Sequence, residues 1–128
     1  MILGIDLGKK TTGLAISEGS LASPYQTITH KSQHEAVSKI VKICDTLGVD
    51  LVVVGYVEGK IKSLFENFAK ALKKERPGLE IALWDETLTT RQATQTMIKL
   101  GTAKLKRREK EHEVSAALIL QSYLDSHD

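Results

Sequence analysis

The sequence predicts an α/β protein: a mixed five-stranded sheet, three strands in antiparallel hairpins followed by two parallel strands, with helices on both faces. Three observations carry this. Residues 2–29 hold three short apolar runs separated by glycine and Ser-Pro turn signals, with no helical spacing between them. From Ser32 onward the apolar period becomes helical, and two further apolar runs each follow a helical stretch. The first of those runs, DLVVVGY, is continuous rather than alternating, as in a strand covered on both faces.

Taken in order, residues 2–6 (ILGID) form a strand ending in an acid. Gly8 supplies a turn, and GLAIS at 13–17 returns as the hairpin partner. Ser23-Pro24 reads as a turn before a third strand near Tyr25 to Thr29. SQHE at 32–35 is a capping box, with Ser32 capping an amide near Glu35 and Glu35 reaching back. Val37, Ile40, Val41, Cys44 and Leu47 follow at helical spacing until Gly48. After the strand at 50–56, Ile61, Leu64, Phe65, Phe68, Ala69 and Leu72 make the clearest helical stripe, stopped by Pro77-Gly78. LEIALW at 79–84 is the last strand and ends at Asp85-Glu86. Thr89 with Gln92 forms a second capping box, opening a helix with Ala93, Met97 and Leu100 inward. A basic loop precedes a final helix that begins near Glu113 and runs through VSAALILQSYL. Helical crossovers are right-handed and link parallel strands, so functional groups are expected at the carboxyl ends of those strands.

A length of 128 residues predicts one domain, residues 1–128. The net charge of +2 points to no partner by itself. Its distribution says more, because KLKRREK at 104–110 has five basic residues and one acid, a local anion-binding candidate. The single cysteine, Cys44, cannot form an internal disulfide and reads as a small buried hydrophobe. MILGID lacks the basic start of a signal peptide, and no apolar run reaches the roughly 18 residues of a membrane span. A reducing, cytoplasmic setting is therefore expected.

The acids suggest chemistry. Asp6 and the pair Asp85, Glu86 end strands expected to be parallel, so they share one sheet edge. Glu113, preceded by Glu109 and Glu111, opens the last helix. Each has a plain structural explanation: Glu113 complements a helix dipole, Asp85 serves a turn, and Asp6 makes an Asx turn before Gly8. Three carboxylates converging from separate segments, however, repel one another, and a divalent cation removes that cost. Oxygen donors with room for water suit Mg²⁺ or Mn²⁺. Two such ions roughly 3.5–4 Å apart could activate water and stabilise the leaving oxygen of a phosphodiester. Other chemistries find no support. His30, His34, His112 and His127 lack zinc spacing, no G-x-x-x-x-G-K-[ST] sequence or dinucleotide fingerprint is present, and Ser17 and Ser20 have no evident base.

GIDLGKKTTGLAIS resembles the D-x-G-x-x-x-x-G-x-A opening of the YqgF/RuvX family, within the RNase H-like, RuvC-related superfamily. WDETLTTRQA resembles its DE-x-LTT-x-x-A segment, and KRREKEHEVSAALILQSYLD its basic stretch, acid and AA-x-x-ILQ-x-YLD ending. The first motif is shared with actin-like and sugar-kinase phosphate loops, but such an ATPase needs a second lobe, which 128 residues do not supply.

The resemblance implies an RNase H-like fold and a Mg²⁺- or Mn²⁺-dependent endonuclease acting on structured nucleic acid. It favours 5′-end processing of pre-16S rRNA over Holliday junction resolution; a non-catalytic RNA-binding factor is a further reading. Asp6 then corresponds to the family's first acid and Glu86, or its neighbour Asp85, to the second. Glu113 stands where the family usually has Asp, one methylene longer. The fourth strand ends GYVEG instead of the family's Gly-x-Pro, so Glu58 is a minor alternative for the second acid. Asp6, Glu86 and Glu113 would bind metal. Arg91, Lys104, Lys106, Arg107, Arg108 and Lys110 would contact phosphates, in a monomer or a homodimer.

Overall fold

The computed structural model describes residues 1–56, 62–101 and 110–127. The strands are β1 (Ile2–Asp6), β2 (Thr11–Ser17), β3 (Ala22–Thr29), β4 (Leu51–Tyr56) and β5 (Glu80–Asp85). The helices are α1 (Gln33–Leu47), α2 (Lys62–Glu75), α3 (Arg91–Lys99) and α4 (Glu111–Ser126), with a 3-10 turn at Glu86–Leu88. The strands lie in the order β3-β2-β1-β4-β5. β1, β4 and β5 are parallel, and β2 and β3 are antiparallel additions, as the element order predicts. Asp6 stands opposite Gly13 on one side and Gly55 on the other, and Tyr56 stands opposite Asp85.

Side-chain alternation sorts the strands onto two cores. Leu3, Ile5, Leu14, Val52 and Val54 pack with Ile40, Phe68 and Leu72, on the α1/α2 face. Ala15 and Val53 pack with Met97, Ala116, Ile119 and Leu120, on the α3/α4 face. Phe68 is fully buried. Phe68→Ala is therefore expected to destabilise the protein by about 4 kcal/mol through lost burial plus a cavity, as read by urea unfolding.

α4 lies close on its face because the strands beneath it carry glycine. A Cβ at Gly4 would come within 2.7 Å of the Leu120 Cβ. Gln121, buried in α4, also pins the β2–β3 connection. Its Oε1 accepts from the Ala22 amide at 2.9 Å, and its Nε2 donates to the Ser20 carbonyl at 3.1 Å.

Several boundaries differ from expectation, each for a local reason. β2 begins at Thr11, two residues early. β3 begins at Ala22, so Ser23-Pro24 lies within a strand and is not a turn. β3 is a sheet edge, and Pro24 pairs beside the register shift at Leu14/Ala15; edges and bulges are where a strand accommodates proline. In the first capping box the Glu35 amide donates to Ser32 Oγ at 3.1 Å, but the Glu35 carboxylate accepts from Lys31 N, one residue further back. Thr90, not Thr89, caps α3, accepting from the Ala93 amide at 3.0 Å. Thr89 is engaged by the 3-10 turn, its hydroxyl donating to the Glu86 carbonyl. Leu100 is the exposed C-cap of α3 rather than an inward residue. α4 starts at Glu111, two residues before Glu113. Cys44 is buried as expected, and burial pushes its thiol up to about 11.

Candidate active site

The site is built on the carboxyl ends of β1 and β5 and the first turn of α4. In β1, Leu3 and Ile5 face α1 and α2, so Gly4 and Asp6 face α4. Asp6 is the last residue of the strand and half-buried. Both its sheet neighbours, Gly13 and Gly55, lack side chains, which lets α4 close down beside the carboxylate: a Cβ at Gly55 would lie 2.5 Å from the Ile119 Cδ1. The Gly13 position is also where α4 meets the sheet: a Cβ there would lie 2.0 Å from the His112 carbonyl oxygen.

The Asp6 carboxyl is raised from 3.8 to about 6. Burial is the main cause, and the charge of Glu86 adds to it, while His112 pulls the value down. The charges acting on Asp6 therefore come from Glu86, just past the end of β5, and His112, at the start of α4.

Strand parity separates Asp85 from Glu86. In β5, Ile81 and Leu83 pack with the α1/α2 core and Trp84 with the α4 core. Asp85 thus ends the strand on the α1/α2 parity. Its Oδ1 accepts from the Thr87 amide at 2.9 Å and the Thr87 hydroxyl at 2.8 Å, capping the 3-10 turn. Glu86, the first residue of that turn, is the one whose charge reaches Asp6.

Glu113 meets the same sheet row two strands away from Asp6, since Thr27 stands opposite Gly13 and Gly13 opposite Asp6. Its Oε1 accepts the Thr27 hydroxyl from β3 at 3.2 Å. His112, also in the first turn of α4, acts on Asp6 by lowering its value. Arg91 is the exposed first residue of α3, and Lys110 the exposed N-cap of α4. Lys104, Lys106, Arg107, Arg108 and Glu58 lie outside the described residues.

Among the described residues no group of three or more His, Cys, Asp or Glu side chains is arranged to hold a metal ion. The pair Asp6 and Glu86 nevertheless suits a hard divalent cation. Burial, with the like charge of Glu86 added, makes the ionised form of Asp6 costly, and a cation removes that cost. Mg²⁺ in particular is commonly bound by one or two carboxylates plus water and substrate phosphates. No helix among the described residues is long and apolar enough to cross a membrane.

A family model described as RuvX: Holliday junction resolvase matches residues 1–126. A protein of Clostridium botulinum (strain Hall), named "Putative pre-16S rRNA nuclease", is 39% identical over 132 residues, covering 98% of this chain and 96% of that protein. A protein of the same name from Geobacillus thermodenitrificans is 38% identical over 134 residues, with 97% and 96% coverage. Among solved structures, T. thermophilus RuvC in complex with a Holliday junction substrate superposes with a TM-score of 0.65 at 12% identity, covering 98% of this chain and 94% of that one. The fowlpox virus Holliday junction resolvase superposes at 0.64, also at 12% identity, with 99% of both chains covered. Those two likenesses establish the RuvC-type, RNase H-like fold.

Proposed function

Because the chain belongs to the RuvX family, we propose that it is a Mg²⁺- or Mn²⁺-dependent endonuclease that trims the 5′ end of pre-16S rRNA in the cytoplasm, acting as one nuclease domain. The observation that carries the reading is the meeting of Asp6 and Glu86 at one sheet edge, with Asp6 held near 6 by burial and by its acidic neighbour. Ribosomal RNA is favoured over a DNA junction because the relatives bearing the rRNA name share 38–39% identity with this chain, whereas the junction-resolving structures share 12%.

On this reading Asp6 and Glu86 hold the cation. When bound, the cation supplies positive charge that polarises the phosphate and makes water a competent nucleophile. The remaining work falls to the chain. β1 and the 3-10 turn fix the two carboxylates on rigid elements. His112 places an imidazole beside Asp6, where it can exchange a proton with a phosphate oxygen. Arg91 and Lys110, with the basic residues at 104–108, draw in and orient the phosphate backbone, so binding weakens steeply with salt.

The test is cleavage of a 5′-extended 16S precursor by the purified protein with Mn²⁺ or Mg²⁺, beside a four-way DNA junction. Cutting of the RNA is expected. Cutting of the junction alone would transfer the activity to recombination, and salt-dependent binding without any cutting would make the chain a binding factor. The same assay separates the two α4 residues: His112→Ala should slow cleavage about a hundredfold. Glu113→Gln, which removes charge but retains an acceptor for Thr27, should stay within about threefold.

A further inference from the structure

We propose that His30 is a positioning residue for the Asp6 edge: acting through Thr12, it fixes the turn that follows Asp6 and so holds the carboxylate in place. This rests on the reading of Asp6 as the carboxylate of the cleavage site.

His30 lies one residue beyond β3 and is 5% exposed. Its backbone amide donates to the Lys10 carbonyl at 2.9 Å. Its Nε2 lies 2.8 Å from Thr12 Oγ1. The same hydroxyl oxygen accepts the Gly8 amide at 3.5 Å. One histidine therefore grips both ends of the turn, at Gly8 through Thr12 and at Lys10 directly. The turn has no slack, since a Cβ at Gly8 would sit 2.2 Å from the Thr11 carbonyl oxygen. It begins directly after Asp6, and Thr12 adjoins Gly13, the residue paired with Asp6 across β1 and β2. Thr12 shares its parity with Leu14 and faces the α1 core, so the brace supports the edge from beneath while Asp6 faces α4.

Packing does not explain a histidine here. The His30 Nδ1 is buried with no hydrogen-bond partner among the described residues. An orphaned buried polar atom costs at least what a single hydrogen bond contributes, so phenylalanine or leucine would fill the space at least as well. A hydrocarbon side chain cannot hold Thr12. Burial also lowers the His30 pKa, against the upward pull of Glu35 and with that of Lys39, which keeps the ring neutral. In either neutral tautomer Nε2 can bond to the hydroxyl, as donor or acceptor.

Thr12→Val and His30→Phe remove the contact from opposite sides at nearly constant volume. The readouts are kcat and KM on the rRNA precursor, thermal melting, and hydrogen exchange of the Gly8 amide by NMR. Each variant is expected to lose roughly tenfold or more in kcat with KM little changed, because a small misplacement of a reacting group is costly. Gly8 exchange should quicken about tenfold, Thr12→Ser should restore both readouts, and the double variant should be no slower than the slower single. A folded Thr12→Val protein with parental kcat and Gly8 exchange would overturn the proposal, as would losses that multiply in the double variant. If His30→Phe fails to fold, the contrast of Thr12→Val with Thr12→Ser decides alone. If the parent cuts nothing, the nuclease reading fails, and Gly8 exchange in Thr12→Val still supports the brace when faster and refutes it when unchanged.

Discussion

Asp6→Asn is expected to abolish cleavage and, at neutral pH, to make the fold more stable. The first effect follows from removing a carboxylate that nothing nearby replaces; a loss of at least about a thousandfold is the scale for a charge aimed at the reacting phosphate. The second follows from linkage. The Asp6 carboxyl ordinarily ionises at 3.8 but in the fold at about 6, so the folded state disfavours the charged form. Below about pH 4 the group is protonated whether the chain is folded or not, and the penalty is absent. Between pH 4 and 6 the unfolded chain loses its proton first, and stability drains away as the pH rises. Above 6 the full penalty remains, about 2–3 kcal/mol and nearer the lower figure because water still reaches the group. Asparagine carries no such penalty. Urea unfolding should therefore place Asp6→Asn above the parent at pH 7 and level with it near pH 3.5. Millimolar Mg²⁺ should raise the parent's stability at pH 7 and leave the variant where it was, since only the parent retains both donors.

Gly13→Ala is the second large effect. The added methyl would meet a backbone carbonyl, that of His112 at 2.0 Å, so no side-chain rotation relieves it. Either β2 sinks away from α4 or the first turn of α4 lifts. Overpacking of this kind costs about 1–3 kcal/mol. The displaced turn carries His112, so cleavage should fall by more than the stability loss explains, at temperatures where the variant is still folded. Circular dichroism melts paired with rates at 25 °C check this; a folded Gly13→Ala protein with parental rate would mean that the first turn of α4 has no part in the site.

What the sequence disclosed about this edge, and what it hid, has a physical basis. The sheet was legible because each strand announces itself: Asp6 follows Leu3 and Ile5, and the run at Val52–Val54 is apolar on both faces. The parallel arrangement then brings the ends of β1 and β5 onto one edge without any knowledge of contacts. Preference for Glu86 over Asp85 required parity, which depends on where β5 ends and the 3-10 turn begins. The α4 contribution is less legible. The acids at 109, 111 and 113 favour a helix start without fixing its first residue, and the influence of His112 on Asp6 shows only once α4 is seated on Gly13. His30 was invisible because its role depends on Thr12 and Gly8, which the chain places 18 and 22 positions away and only the β2–β3 pairing brings near.

On the proposed reading, Asp6 and Glu86 together hold the cation that drives cleavage. Anomalous diffraction from crystals soaked in Mn²⁺ tests it most directly. The predicted result is a peak within coordinating distance of both carboxylates, lost in Asp6→Asn crystals soaked identically. A peak at Glu113 and Thr27, or elsewhere with none at the Asp6 edge, would contradict it.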